Sequence, residues 1–224
     1  MDRYTKNRET ISQAEQAELA EKRVFVAGCG GLGGYLIEQL ARIGIGHLSL
    51  LDNDVFDMTN LNRQLYATPD NLGLSKVQAA LARVRLINPE VSVRGLEVTL
   101  DQSNAQELVR GHDVVLDAFD SMASRLVLEL ACEAEGLPLI HGAIGGLAGQ
   151  FGLILPGERV LHRIYTTGLI GVEHTQGNPA FTPAIVASYQ VALAIQYLLG
   201  KPVASNTLHY LDLSTLELET IHFD

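Results

Sequence analysis

Val24-Phe25-Val26-Ala27-Gly28-Cys29-Gly30-Gly31-Leu32-Gly33-Gly34 is the stretch of sequence that decides the fold. Four apolar residues lead into the pattern Gly28-x-Gly30-x-x-Gly33, and apolar residues at helical spacing follow it. The pattern predicts a strand, a phosphate-binding turn and a helix, because glycines permit a tight turn, the approach of a phosphate to the backbone, and close packing of helix on strand. The amides at the helix N-terminus favour an anion there. A turn whose glycines serve packing alone has the same pattern, so the phosphate needs support from other residues.

An acidic residue follows the second predicted strand. This strand covers residues 47–51, and Asp52 comes directly after it. A dinucleotide-binding fold holds the ribose hydroxyls at this position, because a carboxylate accepts two hydrogen bonds from a vicinal diol. Asp52 together with the glycine pattern therefore favours a bound nucleotide.

Carboxylate, amide and guanidinium groups are concentrated between this strand end and the next helix. Arg63 is suited to hold a phosphate with two parallel hydrogen bonds, and Asn60 or Gln64 to fix the geometry of a substrate. Lys76 lies near the start of the following helix, where a lysine does little for the helix dipole. It reaches a triphosphate if that helix end faces the site, and it is an ordinary surface lysine otherwise.

Two aspartates follow a further apolar strand, at residues 113–117. Asp117 ends the strand and Asp120 comes three residues later. Open α/β sheets bind ligands in the crevice at the carboxyl ends of their strands, and Mg²⁺ bound with a nucleotide uses one or two carboxylates. We therefore expect one of the two near Mg²⁺ or the substrate. Asp120 or Ser121 is also a candidate N-cap for a helix over about 122–135.

Composition limits the class of protein. The chain has 224 residues, 47% of them hydrophobic, and a net charge of −10 from 26 acidic and 16 basic residues. The acidic balance opposes tight binding to nucleic acid or to an anionic membrane. Cys29 and Cys132 are the two cysteines, so we expect a cytoplasmic protein without a disulfide framework. We expect neither a signal peptide nor an apolar run of membrane-spanning length.

The order of predicted elements indicates the fold class. Residues 1–22 are expected to form a polar arm with an outer helix, capped by Ser12 and Glu15, and residues 23–224 a single domain. Strand and helix alternate up to about residue 141, and consecutive strands follow. This order predicts a Rossmann-like α/β fold: a mostly parallel sheet with helices on both faces and antiparallel strands added toward the C-terminus.

The C-terminal part carries more specific expectations. We expect a flexible turn over 142–146, a hairpin of strands 150–155 and 158–164 across Pro156-Gly157, and a loop over 165–180. A helix capped by Thr182 is expected to run to Leu199, with its apolar faces buried in a dimer interface or against the sheet. Residues 208–213 and 216–221 are expected to form a final hairpin.

In this order and spacing, the motifs resemble those of the HesA/MoeB/ThiF family, bacterial relatives of ubiquitin-activating enzymes. The resemblance covers nearly the whole chain. The matching segments are Arg3-Tyr4, Gly28 to Gly33, Asp52-x-Asp54-Val55, Asn60-Leu61-x-Arg63-Gln64, Leu74-Ser75-Lys76, Asn88-Pro89, and Asp117-x-x-Asp120 with Arg125.

The resemblance implies an adenylyltransferase. Such an enzyme binds ATP and Mg²⁺ and activates the C-terminal glycine carboxylate of a small ubiquitin-like sulfur-carrier protein as an acyl-adenylate, for thiamine or molybdopterin synthesis. Of the matching residues, it implies catalysis by Arg63, Lys76 and Asp117, with Asp117 also holding Mg²⁺. The implied nucleotide contacts are Gly28, Gly30, Gly31, Gly33, Asp52, Asp54, Asn60, Arg63, Gln64, Lys76 and Asp117.

The resemblance also implies a homodimer in which an N-terminal arginine reaches the partner's nucleotide. Here Lys6 replaces the last arginine of the family's Arg-Tyr-x-Arg start, and Arg8 is the candidate substitute. The CxxC pairs that bind zinc in many members are missing, so no structural zinc is expected. Some members carry a cysteine in the region of 165–180, where this chain has His174 and Thr175, so a covalent thioester is not expected. The family's Asp-Asn pair is Asp120-Ser121 here.

Three alternatives to this function follow from the same residues. The first keeps the chemistry but changes the substrate to a carboxylate on a modified tRNA nucleoside or on a peptide; the acidic chain counts against tRNA. The second is a catalytically silent partner of an active homologue, which has no need for Arg63, Lys76 and Asp117 together. The third is an NAD-dependent oxidoreductase, which leaves the arginine and the lysine unexplained.

Overall fold

A computed structural model describes residues 2–165 and 177–223 of the chain. Its sheet has eight strands in the order β3-β2-β1-β4-β5-β6-β7-β8. The strands are β1 Arg23–Ala27, β2 His47–Leu51, β3 Ser92–Leu96, β4 Val114–Asp117, β5 Leu139–Gly145, β6 Ala148–Ile154, β7 Thr207–Asp212 and β8 Glu217–His222. The strands β1 to β5 pair in parallel, whereas β6, β7 and β8 add in antiparallel pairs.

Helices cover both faces of this sheet. Seven α-helices lie within the described residues: α1 Gln13–Leu19, α2 Gly31–Ile43, α3 Lys76–Ile87, α4 Ala105–Val109, α5 Met122–Glu135, α6 Val160–Ile164 and α7 Phe181–Leu198. Short 3₁₀ turns occur at Thr5–Asn7, Met58–Asn60 and Pro69–Asn71. Mixed strand pairing and helices on both faces confirm the predicted fold class, including its antiparallel C-terminal strands.

The core follows from strand alternation. In β1, Val24 and Val26 pack in the layer that contains α2, α3 and α7, whereas Phe25 and Ala27 pack in the layer that contains α4, α5 and α6. Since successive side chains of a strand point to opposite faces, a strand that is apolar at every position needs cover on both sides. The continuous apolar run at residues 24–27 therefore places β1 in the middle of the sheet.

The N-terminal residues are fastened to this core. Ser12 and Glu15 form the predicted capping box at the start of α1, and Leu19 in the last turn of this helix is fully buried. The Tyr4 hydroxyl accepts a hydrogen bond from Asn88 Nδ2 at 2.8 Å, next to the end of α3.

The predicted hairpin across Pro156-Gly157 is wrong. The turn that joins two strands lies instead at Gly146-Leu147, between β5 and β6, and the residues after Pro156 form the short helix α6. The carboxylate of Glu129 stabilises the start of this helix, because it accepts hydrogen bonds from the amides of Leu161 and His162 in the first turn, at 2.7 and 3.0 Å.

The flexible turn predicted over 142–146 is also wrong, since β5 continues to Gly145. A glycine is needed inside this strand for packing. A Cβ atom added to Gly142 would stand 2.2 Å from the side-chain amide of Gln190, which lies on α7 and donates to the carbonyl oxygens of Asp117 and Ile140. The final predicted hairpin is confirmed as β7 and β8.

Helix α7 differs from prediction in two ways. It begins at Phe181, and Thr182 is buried and donates its hydroxyl to the Gly146 carbonyl oxygen at 2.8 Å instead of capping the helix. By length and composition it also suffices to cross a membrane, with a mean hydropathy of 1.2 over 18 residues, so the expectation of no such run is wrong. Its buried residues pack against α2 and the sheet, as in the core helix of a folded domain. Most of the predicted loop over 165–180 lies outside the described residues.

Candidate nucleotide-binding site

A cavity of about 400 Å³ opens at the carboxyl ends of the parallel strands, within the size range of small-molecule sites. The residues around it lie at the ends of β1, β2, β4 and β5, in the loops that follow strands or precede α7, and at the starts of neighbouring helices. They are Gly28, Gly30, Gly31, Leu32, Leu51, Asp52, Asn53, Asp54, Arg63, Gln64, Lys76, Thr99, Leu100, Ala118, Phe119, Asp120, Ser124, Arg125, Ile144 and Asn178. Eight of the eleven predicted nucleotide contacts are among them; Gly33, Asn60 and Asp117 are not.

The glycines of the first turn have separate reasons to be glycine. Gly28 has φ +109°, and a Cβ atom there would stand 2.8 Å from the Ala118 carbonyl oxygen. A Cβ atom on Gly33 would stand only 1.9 Å from the Gly28 carbonyl oxygen, so Gly33 serves the packing of α2 on β1. Gly30 and Gly31 face the cavity, where an added Cβ atom would meet only side chains at 3.6 Å or more. These two leave the backbone open to a phosphate.

The Asp52 carboxylate lies beside this turn and is hydrogen-bonded to it. One carboxylate oxygen accepts a hydrogen bond from the Cys29 amide at 2.7 Å, and the other accepts from the Asp54 amide at 2.9 Å. Burial raises the pKa of Asp52, while both amides oppose that shift. Each carboxylate oxygen has a second lone pair, so the side chain is able to accept two ribose hydroxyls as well.

Lys76 is the first residue of α3 and is only 7% exposed. Its ammonium group lies 2.9 Å from the carboxylate of Asp54, which is itself largely exposed at the cavity. A lysine is almost never buried to this degree without a partner or a ligand. The structure therefore rules out the surface-lysine alternative and places a positive charge in the cavity wall.

The loop before α3 supplies a second cation. Arg63 donates from NH1 to the Thr59 carbonyl oxygen at 2.8 Å and to Asn62 Oδ1 at 2.9 Å, which holds its guanidinium group at the cavity. Gln64 is buried beside it, and its Oε1 accepts no hydrogen bond from any described residue. Asn60 instead pairs with the backbone and carboxylate of Asp57 at 3.2 Å and so shapes the loop.

Asp117 does not reach the cavity. It is fully buried at the end of β4, where it accepts hydrogen bonds from the Phe119 amide at 3.0 Å and from His141 Nδ1 at 2.7 Å. Arg125 Nε lies 3.8 Å from the same carboxylate. Because its oxygens face these groups inside the core, the geometry does not support the expectation that Asp117 holds Mg²⁺.

Asp120 is the carboxylate that this strand end presents to the cavity. It is exposed, and Ser121, not Asp120, caps α5 by accepting a hydrogen bond from the Ser124 amide at 3.4 Å. Ser121 therefore fills the capping role that the sequence had left open for Asp120. An exposed carboxylate at the cavity is the geometry that a nucleotide-bound Mg²⁺ needs.

Arg125 holds the turn that carries Asp120. Its Nε and NH2 groups both donate to the Phe119 carbonyl oxygen, at 3.0 and 2.6 Å, and NH1 donates to the Tyr165 hydroxyl at 3.1 Å. Burial lowers the pKa of His141 against the opposing effect of Asp117, which favours the neutral imidazole. A neutral His141 that donates from Nδ1 to Asp117 leaves the buried charges of Asp117 and Arg125 balanced.

The N-terminal cations lie away from the cavity of their own chain. Arg3 donates to the Ile87 carbonyl oxygen at 3.1 Å, Arg8 forms an ion pair with Asp2 at 2.7 Å, and Lys6 is exposed. Whether Lys6 or Arg8 contacts a partner's nucleotide stays a prediction. Within residues 2–165 and 177–223, no cluster of three or more His, Cys, Asp or Glu side chains is placed to hold a metal ion.

A sequence profile of the ThiF family matches residues 4–224. This chain belongs to the ThiF family. Residues 4–224 include every residue predicted for the site, so the resemblance seen in the motifs is confirmed.

Two named proteins are similar to this ThiF family chain over most of its length. The SAMP-activating enzyme E1 of Haloferax volcanii is 34% identical over 240 residues, which cover 100% of this chain and 85% of that protein. The molybdopterin-synthase adenylyltransferase of Escherichia coli is 33% identical over 203 residues, 87% of this chain and 81% of that protein. The predicted enzyme class, an adenylyltransferase, is thereby confirmed.

Two further similarities of this ThiF family chain are partial or distant. A tRNA threonylcarbamoyladenosine dehydratase of E. coli is 39% identical over 132 residues, 58% of this chain and 48% of that protein. The crystal structure of E. coli MccB with MccA-N7isoASN superimposes with a TM-score of 0.86 at 21% identity, over 99% of this chain and 71% of that one. At this identity the likeness to MccB shows the fold alone.

Proposed function

We propose that this enzyme uses ATP to activate the C-terminal glycine carboxylate of a small ubiquitin-like sulfur-carrier protein as an acyl-adenylate. The observation that carries the proposal is the pair of cations, Arg63 and Lys76, in the wall of a cavity that also contains the glycine turn and Asp52. The two positive charges are suited to neutralise a triphosphate, and the carboxylate is suited to accept hydrogen bonds from ribose hydroxyls. The names of two relatives that match most of the chain, a SAMP-activating enzyme and a molybdopterin-synthase adenylyltransferase, support a carrier protein as the substrate.

The arrangement suits a reaction that depends on alignment and charge neutralisation. In the proposed mechanism, Asp52 accepts the ribose hydroxyls, and the backbone at Gly30 and Gly31 receives phosphate oxygens. Arg63 and Lys76 neutralise the triphosphate and the charge that develops as it reacts. Preorganised charges of this kind stabilise a transition state because they need no reorganisation at the moment of reaction.

The bond changes balance without a covalent enzyme intermediate. One carboxylate oxygen of the terminal glycine attacks the α-phosphorus of ATP, and the bond from that phosphorus to the oxygen bridging to the β-phosphate breaks. The products are the acyl-adenylate and pyrophosphate. Cys29 and Cys132 are both buried, and burial raises the pKa of both thiols, so neither is suited to form a thioester.

Mg²⁺ fits the donor set at the end of β4. We assign its binding to Asp120 in place of Asp117, since only Asp120 presents its carboxylate to the cavity. A bound Mg²⁺ supplies further neutralisation of phosphate charge. Asp117 acts on the site through Arg125 and the Phe119 turn, and is a positioning residue.

The alternatives make different demands on the chain. A tRNA substrate would need a basic surface, and the net charge is −10. A silent partner subunit would have no use for a buried lysine and an arginine in the same cavity wall. An NAD-dependent oxidoreductase would leave both cations without a role. ATP-dependent adenylation gives a role to both cations and to the carboxylates of Asp52 and Asp120.

We also propose that the enzyme is a cytoplasmic homodimer. Helix α7 carries three large apolar side chains on its outer face: Phe181 is 51% exposed, Ile185 is 36% exposed and Tyr189 is 38% exposed. A strip of this kind on a core helix is typical of an interface between subunits. Light scattering coupled to gel filtration is expected to give the mass of two chains, and the mass of one chain would refute the dimer.

The proposal is tested by ATP–pyrophosphate exchange, with and without a ubiquitin-like carrier protein from the same genome that ends in Gly-Gly. We expect exchange only with the carrier, and we expect Arg63→Ala and Lys76→Ala each to abolish it. Arg85→Ala is the matched control, because Arg85 is exposed in the last turn of the same helix as Lys76. Wild-type exchange in either cavity variant, or tight binding of NAD in place of ATP, would contradict the proposal.

A further inference from the structure

The end of β4 carries the part of the cavity wall that contains Asp120, and its position depends on how the sheet ends there. The ladder between β4 and β5 stops where Leu116 pairs with Ile140. The next carbonyl of β4 is that of Asp117, directly before the cavity-lining residues 118–120. Asp117 is fully buried, so its carbonyl oxygen needs a donor from another element of the fold.

That donor is the side-chain amide of Gln190, which lies on α7. Its Nε2 group donates to the Asp117 carbonyl oxygen at 2.8 Å and to the Ile140 carbonyl oxygen of β5 at 3.2 Å. Gln190 is fully buried, so both bonds form away from water. One side chain from α7 thus joins β4 to β5 at the point where their ladder ends.

The amide of Gln190 fits against the sheet because β5 has a glycine there. A Cβ atom added to Gly142 would stand 2.2 Å from the carbon and the oxygen of this amide and 2.5 Å from its nitrogen. These are the three atoms nearest to the added Cβ atom. A side chain at position 142 and the observed place of the Gln190 amide therefore exclude each other.

The segment that Gln190 anchors is held from two other elements as well. Strand β1 accepts a hydrogen bond from the Ala118 amide at 2.9 Å, and Arg125 of α5 donates to the Phe119 carbonyl oxygen. Gln190 holds the segment from the opposite face of the sheet, because α7 and α5 pack in different layers. Without it, the end of β4 is anchored on one face only, and Asp120 lies three residues further along the chain.

We propose that Gln190 is a positioning residue for adenylation, which acts through the Asp117 carbonyl to hold the Asp120 carboxylate at the reacting phosphates. This inference rests on the proposed function. Gln190 is not among the residues that line the cavity, so it acts without touching a substrate. Its loss should lower kcat, because a displacement of about 1 Å at a reacting centre costs roughly 100-fold in rate. The affinity for ATP should change little, since Asp52 and the glycine turn belong to β2 and β1.

Two substitutions on different elements remove the same contact. Gln190→Ala deletes the amide, and Gly142→Ala displaces it. Each is expected to lower kcat of carrier-dependent ATP–pyrophosphate exchange about 10- to 100-fold, with Kd for ATP within about 3-fold of the wild type. Gln196→Ala is the matched control, because Gln196 is exposed on the same helix and donates only to the Ala192 carbonyl one turn earlier. Its kcat and Tm should equal those of the wild type.

The double variant separates positioning from simple loss of stability. The methyl group added at position 142 has room once the amide is gone, so the double variant is expected to melt about 3 °C or more above Gly142→Ala alone. Its kcat is expected to stay as low as in the single variants, because the donor to Asp117 is still missing. A kcat that recovered together with Tm would overturn the positioning role.

Hydrogen–deuterium exchange of the enzyme without nucleotide adds a readout that needs no reaction. Peptides covering 117–121 are expected to take up deuterium about 5-fold faster in Gln190→Ala and in the double variant, and at the wild-type rate in Gln196→Ala. Unchanged uptake in Gln190→Ala would overturn the inference and leave the adenylation of a carrier intact. Wild-type enzyme that binds ATP but supports no pyrophosphate exchange with any Gly-Gly carrier would instead refute the proposed function, whatever the deuterium uptake shows.

Discussion

Replacing Asp117 with asparagine tests whether this residue supports the site or binds the metal. Asparagine keeps an acceptor for the Phe119 amide at nearly the same volume, but it removes the negative charge that faces Arg125 and His141. Arg125 is only 3% exposed and Asp117 is fully buried, so no water replaces the lost charge. The variant therefore leaves a buried guanidinium without its counterion.

The expected loss of stability in Asp117→Asn follows from the burial of the ion pair between Asp117 and Arg125. Removing one partner of a buried ion pair costs about 3 to 5 kcal/mol of the free energy of unfolding. For a domain of this length, each kcal/mol shifts Tm by about 2 to 4 °C, so Asp117→Asn is expected to melt about 6 to 20 °C below the wild type. Asp120→Asn changes an exposed side chain and is expected to shift Tm by no more than about 2 °C.

The two variants should separate in activity as well. Asp120→Asn is expected to lower ATP–pyrophosphate exchange by about 100-fold or more, with a raised requirement for Mg²⁺, because it removes the carboxylate at the cavity. Differential scanning fluorimetry gives Tm, and exchange measured across a Mg²⁺ titration gives the metal requirement. A wild-type Tm for Asp117→Asn combined with a raised Mg²⁺ requirement would refute the assignment of the two aspartates.

Three further perturbations test the turn, the buried cation and the buried histidines. Gly33→Ala is expected to cost about 3 kcal/mol of the free energy of unfolding, because its Cβ atom would stand 1.9 Å from the Gly28 carbonyl oxygen; a wild-type denaturation midpoint would contradict this. Lys76→Met keeps the apolar stem and removes the charge, so the circular dichroism spectrum should stay unchanged while exchange falls about 100-fold or more; retained exchange would exclude a role for the lysine. The fold is expected to lose stability as the pH falls from about 7.5 to about 5.5, because burial lowers the pKa of both His112 and His141 and the unfolded chain binds more protons in that window. In His112→Gln, Tm should decline less steeply as the pH falls. An unchanged slope would show that His112 does not contribute to the decline.

Features that depend on neighbouring residues were predictable from the sequence. The turn from β1 to α2, the acidic residue after β2 and the lysine at the start of α3 are each set by a strand end or a helix start next to them in the chain. Because parallel strands end at one edge of the sheet, the fold class alone brings Asp52 and Lys76 into one cavity. The observed 2.9 Å ion pair between Lys76 and Asp54 then adds what the sequence leaves open, namely that the lysine is buried.

The two aspartates after β4 show where prediction from the sequence fails. Asp117 shares a face of the strand with Val115, which packs under α5, so strand alternation points its carboxylate into the core. That signal was present in the sequence. The groups that stabilise the buried charge come from elsewhere, however: His141 lies on β5 and Arg125 on α5. A charge in the core is plausible only once those partners are known.

The region after β5 was misread because its structure depends on distant contacts. The sequence 158–164 alternates like a strand, yet the carboxylate of Glu129 on α5 binds the amides of Leu161 and His162 and so stabilises the start of a helix. In the same way, Gly142 suggests a turn but lies within β5, because Gln190 on α7 occupies the space of a side chain there.

The most direct test of the central claim is to look for the acyl-adenylate itself. Wild-type enzyme is incubated with ATP, Mg²⁺ and the carrier protein ending in Gly-Gly, the pyrophosphate is removed with pyrophosphatase, and the intact carrier is analysed by mass spectrometry. We expect a carrier that is heavier by one adenylyl group, and no such product when the terminal glycine is deleted or when Arg63→Ala enzyme is used. An unmodified carrier under conditions where the enzyme binds ATP would contradict it.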